Sequence, residues 1–231
     1  MQQQKRRAAG PITIGVDIGQ RVDPTAIAVA EAETRVGEGR SETFYHIHHL
    51  ERLPLGTDYP AVAERVATVA AGVIKRGALV RRLYADCTGV GRPVIDMLPS
   101  ALIRQHLTVP VWAVTFTFGD RRTEHMSERE IIMGKAWLVS RLKVLLQTDR
   151  ILLPKMDEAT VLVKELLDYE IRQRDNGNEQ FGAFAVGSHD DLVTGLGLAV
   201  QDVGRVPGSP VAGGQRTIFR PGPPPPPRRG W

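Results

Sequence analysis

Hydrophobic and polar positions alternate with a period of two over residues 12–17, with Ile12, Ile14 and Val16 set against Thr13, Gly15 and Asp17. That pattern predicts a strand with two unlike faces, and it puts Asp17 where the strand leaves its sheet. A turn over residues 20–24 leads into a second apolar strand, 25–32, placed to pair antiparallel with the first, and a third spans 43–50. Between residues 58 and 76 the period changes: Val62, Val66, Val69 and Val73 form one helical stripe, which Gly77 ends. Residues 83–86 repeat the opening arrangement, a short apolar run that stops on Asp86 ahead of a glycine-bearing turn.

The second half of the chain reads in the same way. Residues 92–104 suggest a helix broken at Pro99, and residues 109–118 a strand rich in branched and aromatic side chains. A loop at 119–123 precedes a long helix predicted over 127–147, with Ile131, Leu138, Leu142 and Leu145 inward. Residues 157–168 continue as a helix. Asp175-Asn176-Gly177-Asn178 then signals a hairpin turn between strands at 169–174 and 180–185, because Asn-Gly accepts positive φ at low cost. Leu192, Leu196, Ala199 and Val203 stripe a last helix, entered through Ser188-His189-Asp190-Asp191. The whole is a mixed sheet with helices, without internal repeats.

Composition refines this picture at the ends. Of the 231 residues, 42% are hydrophobic, enough for one domain of ordinary core size. The formal charge is +4, but residues 1–11 and 205–231 carry +8 between them and no acid, which leaves −4 on residues 12–204. The expected division is therefore a flexible basic tail (1–11), a folded domain (12–204) and a disordered Gly/Pro/Arg-rich tail (205–231) containing an unbroken run of prolines. Polyanion binding by the body must come from local patches. No apolar run is long enough for a bilayer, so a cytoplasmic chain with no membrane partner is expected. A single cysteine, Cys87, excludes an intrachain disulfide and a multi-cysteine zinc site.

The candidate chemistry lies in three separated acidic sites, Asp17, Asp86 and the pair Asp190/Asp191. Were the strands that end on Asp17 and Asp86 adjacent and parallel, both carboxylates would enter the crevice at the carboxyl end of the sheet, where ligands bind in such folds. Clustered carboxylates repel one another, so the set is tenable mainly with cations bound, and oxygen ligands favour Mg²⁺ or Mn²⁺. Two such ions can hold both the attacking water and the departing 3′ oxygen of a phosphodiester. Each piece has a plainer reading as well: Asp17 and Asp86 as turn residues, Ser188-x-x-Asp191 as a capping box, and His189 as a loop residue that could orient a water or phosphate. Their joint order carries the argument.

That order resembles a known family. Ile14-Gly15-Val16-Asp17 with Asp23-Pro24-Thr25-Ala26, then residues 84–91 around Asp86, then Gly187-Ser188-His189-Asp190-Asp191-Leu192-Val193 look like the three acidic motifs of the nuclease domain of phage terminase large subunits. The resemblance runs from about residue 12 to residue 203. It implies a ribonuclease H-like mixed five-stranded sheet, with three antiparallel strands, then parallel ones, and an extra hairpin before the last helix. It also implies a Mg²⁺- or Mn²⁺-dependent endonuclease that cuts double-stranded DNA with two ions, in the host cytoplasm, during packaging of concatemeric viral genomes. By position, Asp17 would bridge both ions, Asp86 would bind one and Asp191 would complete the catalytic set, with Asp190 as neighbour or substitute ligand.

The implied partners are double-stranded DNA, an ATPase motor, the portal and the small terminase subunit. The motor must lie elsewhere in a longer protein or on another chain, because this sequence has no Gly-x-x-x-x-Gly-Lys-Ser/Thr loop. Arg121, Arg122, Lys135, Asn176 and Asn178 are candidate DNA contacts. Competing readings are a Holliday-junction-resolvase-like nuclease, a non-catalytic packaging adaptor, and an actin-like-fold kinase fragment.

Overall fold

The computed structural model describes residues 10–19, 23–37, 40–173, 179–183 and 189–201. Its centre is β1 (Ile12–Asp17), paired antiparallel with β2 (Ala26–Gly37) and parallel with β4 (Val80–Asp86). β3 (Arg40–Arg52) extends the antiparallel side, and β5 (Val111–Thr117) extends the parallel side. These are the five strands expected, and the sheet then continues outward at both edges. β7 (Glu130–Gly134) joins β5 in parallel, β6 (Arg122–His125) closes that edge antiparallel to β7, and β8 (Ile151–Leu152) lies along β3. The order is β6-β7-β5-β4-β1-β2-β3-β8.

Alternation along β1 separates two cores. Ile12, Ile14 and Val16 face α1 (Tyr59–Lys75) and α3 (Met97–Arg104), which follows the short α2 (Arg92–Ile95). α1 begins where Asp58 accepts a hydrogen bond from the Ala61 amide at 2.8 Å, and it ends at Lys75, two residues before Gly77, where φ is +82°. On the other face, Ala26, Ala28 and Ala30 of β2 meet α4 (Lys135–Gln147), α5 (Asp157–Asp168) and α6 (Asp191–Ala199). All nine residues of α6 are buried, so it is a central helix enclosed by sheet and neighbours, and the sequence stripe captured only part of its contacts.

Three local expectations need correction. The helix predicted from residue 127 starts at Lys135, and Ile131 lies in β7. A branched Ile-Ile pair and Gly134 favour the strand, and a Cβ on Gly134 would stand 2.0 Å from the Gly119 carbonyl oxygen, so close backbone packing sets that junction. The break in residues 92–104 falls at Asp96, and Pro99 lies in the first turn of α3, where no amide is required. Arg122 begins a strand where a loop was expected. β9 (Tyr169–Gln173) and β10 (Glu179–Ala183) form the expected antiparallel hairpin, while Asn176 and Asn178 at its turn lie outside the described residues, as do residues 1–9 and 202–231.

α6 crosses β1 at Gly15, where an added Cβ would come within 2.2 Å of the Gly195 carbonyl oxygen and 2.5 Å of the Ala199 amide nitrogen. Gly15→Ala is expected to push α6 from the sheet at a cost of about 1–3 kcal/mol. Thermal unfolding would read this as a lower Tm, and an unchanged Tm would show that α6 does not pack on β1 this closely.

Candidate active site

In-register pairing delivers the first two acids. Val16 is opposite Ala85 across the parallel β1/β4 ladder, so Asp17 and Asp86 follow as neighbours at the carboxyl ends of both strands, on the face that carries α6. Asp86 is fixed locally, because one carboxylate oxygen accepts the Thr88 amide at 2.8 Å and the Thr88 hydroxyl at 2.5 Å, while that hydroxyl accepts the Phe116 amide at 2.8 Å. The same row continues across the sheet: Asp17 pairs with Ala26 of β2, and Ala26 with Arg52 of β3. Two acids, a small residue and a cation thus line one end of four adjacent strands.

The beginning of α6 brings Asp190 and Asp191 to this row. Asp190 is the residue before the first helical turn, but its side chain makes no capping hydrogen bond and instead accepts one from the Lys135 ammonium at 3.3 Å. Asp191 is buried, with Arg52 Nε at 3.6 Å and His189 Nδ1 at 3.8 Å from its Oδ2. Lys135, expected as a rim contact for DNA, therefore lies within the acidic cluster at the start of α4. Arg122 is paired with Glu124 at 3.1 Å, and Arg121 is exposed near the beginning of β6.

The electrostatics follow from this crowding. Burial, then the charge of Asp86, pushes the Asp17 carboxyl well above the ordinary aspartate value; Asp191 and Asp190 add to the rise and Lys135 opposes it. Burial also raises Asp86 against the hydrogen bonds from Thr88 and the attraction of Lys135. Asp191 is pushed up to about 6, chiefly by burial, with Arg52 and His189 pulling the other way. Burial works against the Lys135 charge, yet Asp190, Asp17 and Asp86 together hold that ammonium above the usual lysine value.

These residues fit divalent cations. Asp191 Oδ2 and His189 Nδ1 are buried without a hydrogen-bond partner among the described residues. Asp23, His189 and Asp191 each offer a ligand atom, all within 4.8 Å of one another. Oxygen-rich donors with one imidazole suit Mg²⁺ or Mn²⁺. Asp23 and Arg52 were absent from the expected site residues. Asp23 stood in the quoted motif but read as a turn, and nothing local distinguishes Arg52, whose place depends on strand register.

A raised carboxyl pKa in the folded state means that folding favours the protonated form, so stability is gained as pH falls through the folded value and is lost as pH rises again. In chelator-treated protein, Asp17→Asn is therefore expected to raise Tm at about pH 8, by about 2–4 °C for each kcal/mol of repulsion relieved. The advantage should shrink towards about pH 5, where the wild-type cluster is partly protonated. A variant less stable than wild type at both pH values would show that the acids do not strain one another.

Neither a protein-family model nor a curated protein sequence matches the chain. Solved structures do. The large terminase nuclease of the thermophilic phage G20c is similar at a TM-score of 0.54 and 23% identity, over 84% of this chain and 83% of that one. The nuclease domain of the Thermus phage P74-26 large terminase gives 0.52 and 19%, over 85% and 84%. The human cytomegalovirus terminase nuclease domain, in a manganese-soaked crystal, gives 0.53 and 13%, also over 85% and 84%. No helix among the described residues is long and apolar enough to cross a membrane. At these levels of identity it is the architecture that is shared, and the chain has the fold of these terminase nuclease domains.

Proposed function

We propose that this chain is a metal-dependent endonuclease that hydrolyses phosphodiester bonds of double-stranded DNA, and that it works as the cutting domain of a viral genome-packaging machine. The observation that carries this reading is the convergence of Asp17, Asp86, Asp190 and Asp191, from two parallel strand ends and one helix start, into one cluster, where burial raises the carboxyl groups of Asp17, Asp86 and Asp191 above the ordinary aspartate value. The relatives that share the fold are terminase nucleases, one of them soaked with manganese, which supports both the activity and the cation.

In this reading Asp17, Asp86 and Asp191 would hold the divalent ions, with Asp190 beside them. Such ions would supply Lewis acidity and lower the pKa of bound water. Asp23 and His189, each with a ligand atom within 4.8 Å of one on Asp191, would extend the ligand set. Lys135, tethered to Asp190, keeps a positive charge inside the cluster and faces the anionic backbone of the substrate. Thr88 holds Asp86 in one orientation. Arg121 contributes rim charge, which positions DNA without reading its sequence. By sequence, Asn176 and Asn178 stay candidate DNA contacts, and the ATPase motor, portal and small terminase subunit would supply DNA movement and recognition. Residues 12–204 would be the cutting domain, between the basic segments 1–11 and 205–231.

Supercoiled plasmid incubated with the purified chain and Mg²⁺ or Mn²⁺ should be nicked and linearised, and EDTA should stop the reaction. Asp17→Asn and Asp86→Asn should each lower the rate by about 100-fold or more, since metal-assisted charge stabilisation contributes several kcal/mol. Equal cleavage by all three proteins would assign the activity to a contaminant and remove the proposal.

A further inference from the structure

The first turn of α6 presents an unusual division of labour. Its preceding residue, Asp190, leaves the helix amides uncapped because its carboxylate is turned to Lys135. The Val193 amide is instead satisfied by Glu165 Oε2, from α5, at 3.1 Å. Glu165 is only 5% exposed and its other oxygen forms an ion pair with Arg52, whose Nε also lies 3.6 Å from Asp191 Oδ2. One guanidinium therefore stands between two buried carboxylates, one structural and one facing the cluster.

We propose that Arg52 and Glu165 are the positioning pair of this site: Glu165 caps α6 from another helix and holds the Arg52 guanidinium back from Asp191, leaving that carboxylate oriented and available to a divalent cation. The inference rests on the cation reading given above. The capping arrangement follows from chemical need, because a helix whose first acids are committed to ions cannot also use them to satisfy its amides. The restraint on Arg52 follows from charge. Glu165 and Asp191 are its ion partners among the described residues, so neutralising Glu165 leaves the guanidinium to Asp191, where it competes with the incoming cation for the same oxygen. Both residues act through Asp191 and neither needs to touch DNA.

The test is Mn²⁺ binding to the full chain, followed by loss of the free-ion electron paramagnetic resonance signal. Glu165→Gln keeps a carbonyl oxygen for the Val193 amide and removes the charge, so it should fold, retain slow exchange at that amide, and bind Mn²⁺ about 10-fold more weakly or worse. In plasmid cleavage the apparent KM for Mn²⁺ should rise while kcat recovers at saturating Mn²⁺, a split that a purely structural lesion would not produce. The double variant Glu165→Gln with Arg52→Gln should regain most of the lost affinity, because no guanidinium remains to compete. Affinity within about twofold of wild type in Glu165→Gln, or a double variant weaker than either single one, would overturn the inference. A wild-type chain that binds no Mn²⁺ would instead overturn the cation reading and this pair with it.

Discussion

Burial of neighbouring carboxylates, with their mutual repulsion added to the loss of hydration, is the constraint around which this molecule is arranged. Strand register leaves Asp17 and Asp86 no choice but to be neighbours, since each is the last residue of a strand whose preceding residues are locked in a parallel ladder. α6 then adds Asp190 and Asp191 from above. In water such groups would separate. Here the backbone holds them, and free energy from burial elsewhere in the fold sustains an arrangement that is unfavourable until positive charge arrives.

Much of the surrounding structure manages that charge. Lys135 enters at one end of the row and Arg52 at the other, so the acids are bracketed by two cations from different elements. Small residues do the complementary work: Gly15 lets the α6 backbone lie directly on β1, and the alanines of β2 continue the shallow surface beneath that helix. Close approach is what carries the first turn of α6 to the strand ends. The elements that carry the crowded acids are thus anchored where helix and sheet backbones approach closely, which holds the acids in fixed positions.

A large part of the architecture could be read from the pattern of side chains, and the failures are instructive. The five central strands, the α1 stripe from Val62 to Val73, the α5 span and the Asn-Gly hairpin were all legible because alternation, periodicity and turn chemistry are local properties. The stretch leading into α4 is ambiguous in sequence because Ile131 fits a helical stripe as well as a strand, and only pairing of β7 with β5 chooses between them. Pro99 reads as a breaker in sequence, yet it occupies a helix position that needs no donor. Edge strands β6 and β8 are too short for alternation to announce them.

The candidate site divides along the same line. Composition and order alone established that acids follow two strands and open a helix, and that the chain resembles terminase nucleases in those motifs. Tertiary structure decided which faces those acids share, that Lys135 belongs among them, that Asp23 and His189 adjoin Asp191, and that Arg52 and Glu165 stand behind it. The reason is physical: a strand or helix specifies where its own side chains point through the angles of a few neighbouring residues, whereas contact between residues 17, 86 and 191 depends on register, crossing point and the absence of a single Cβ at Gly15.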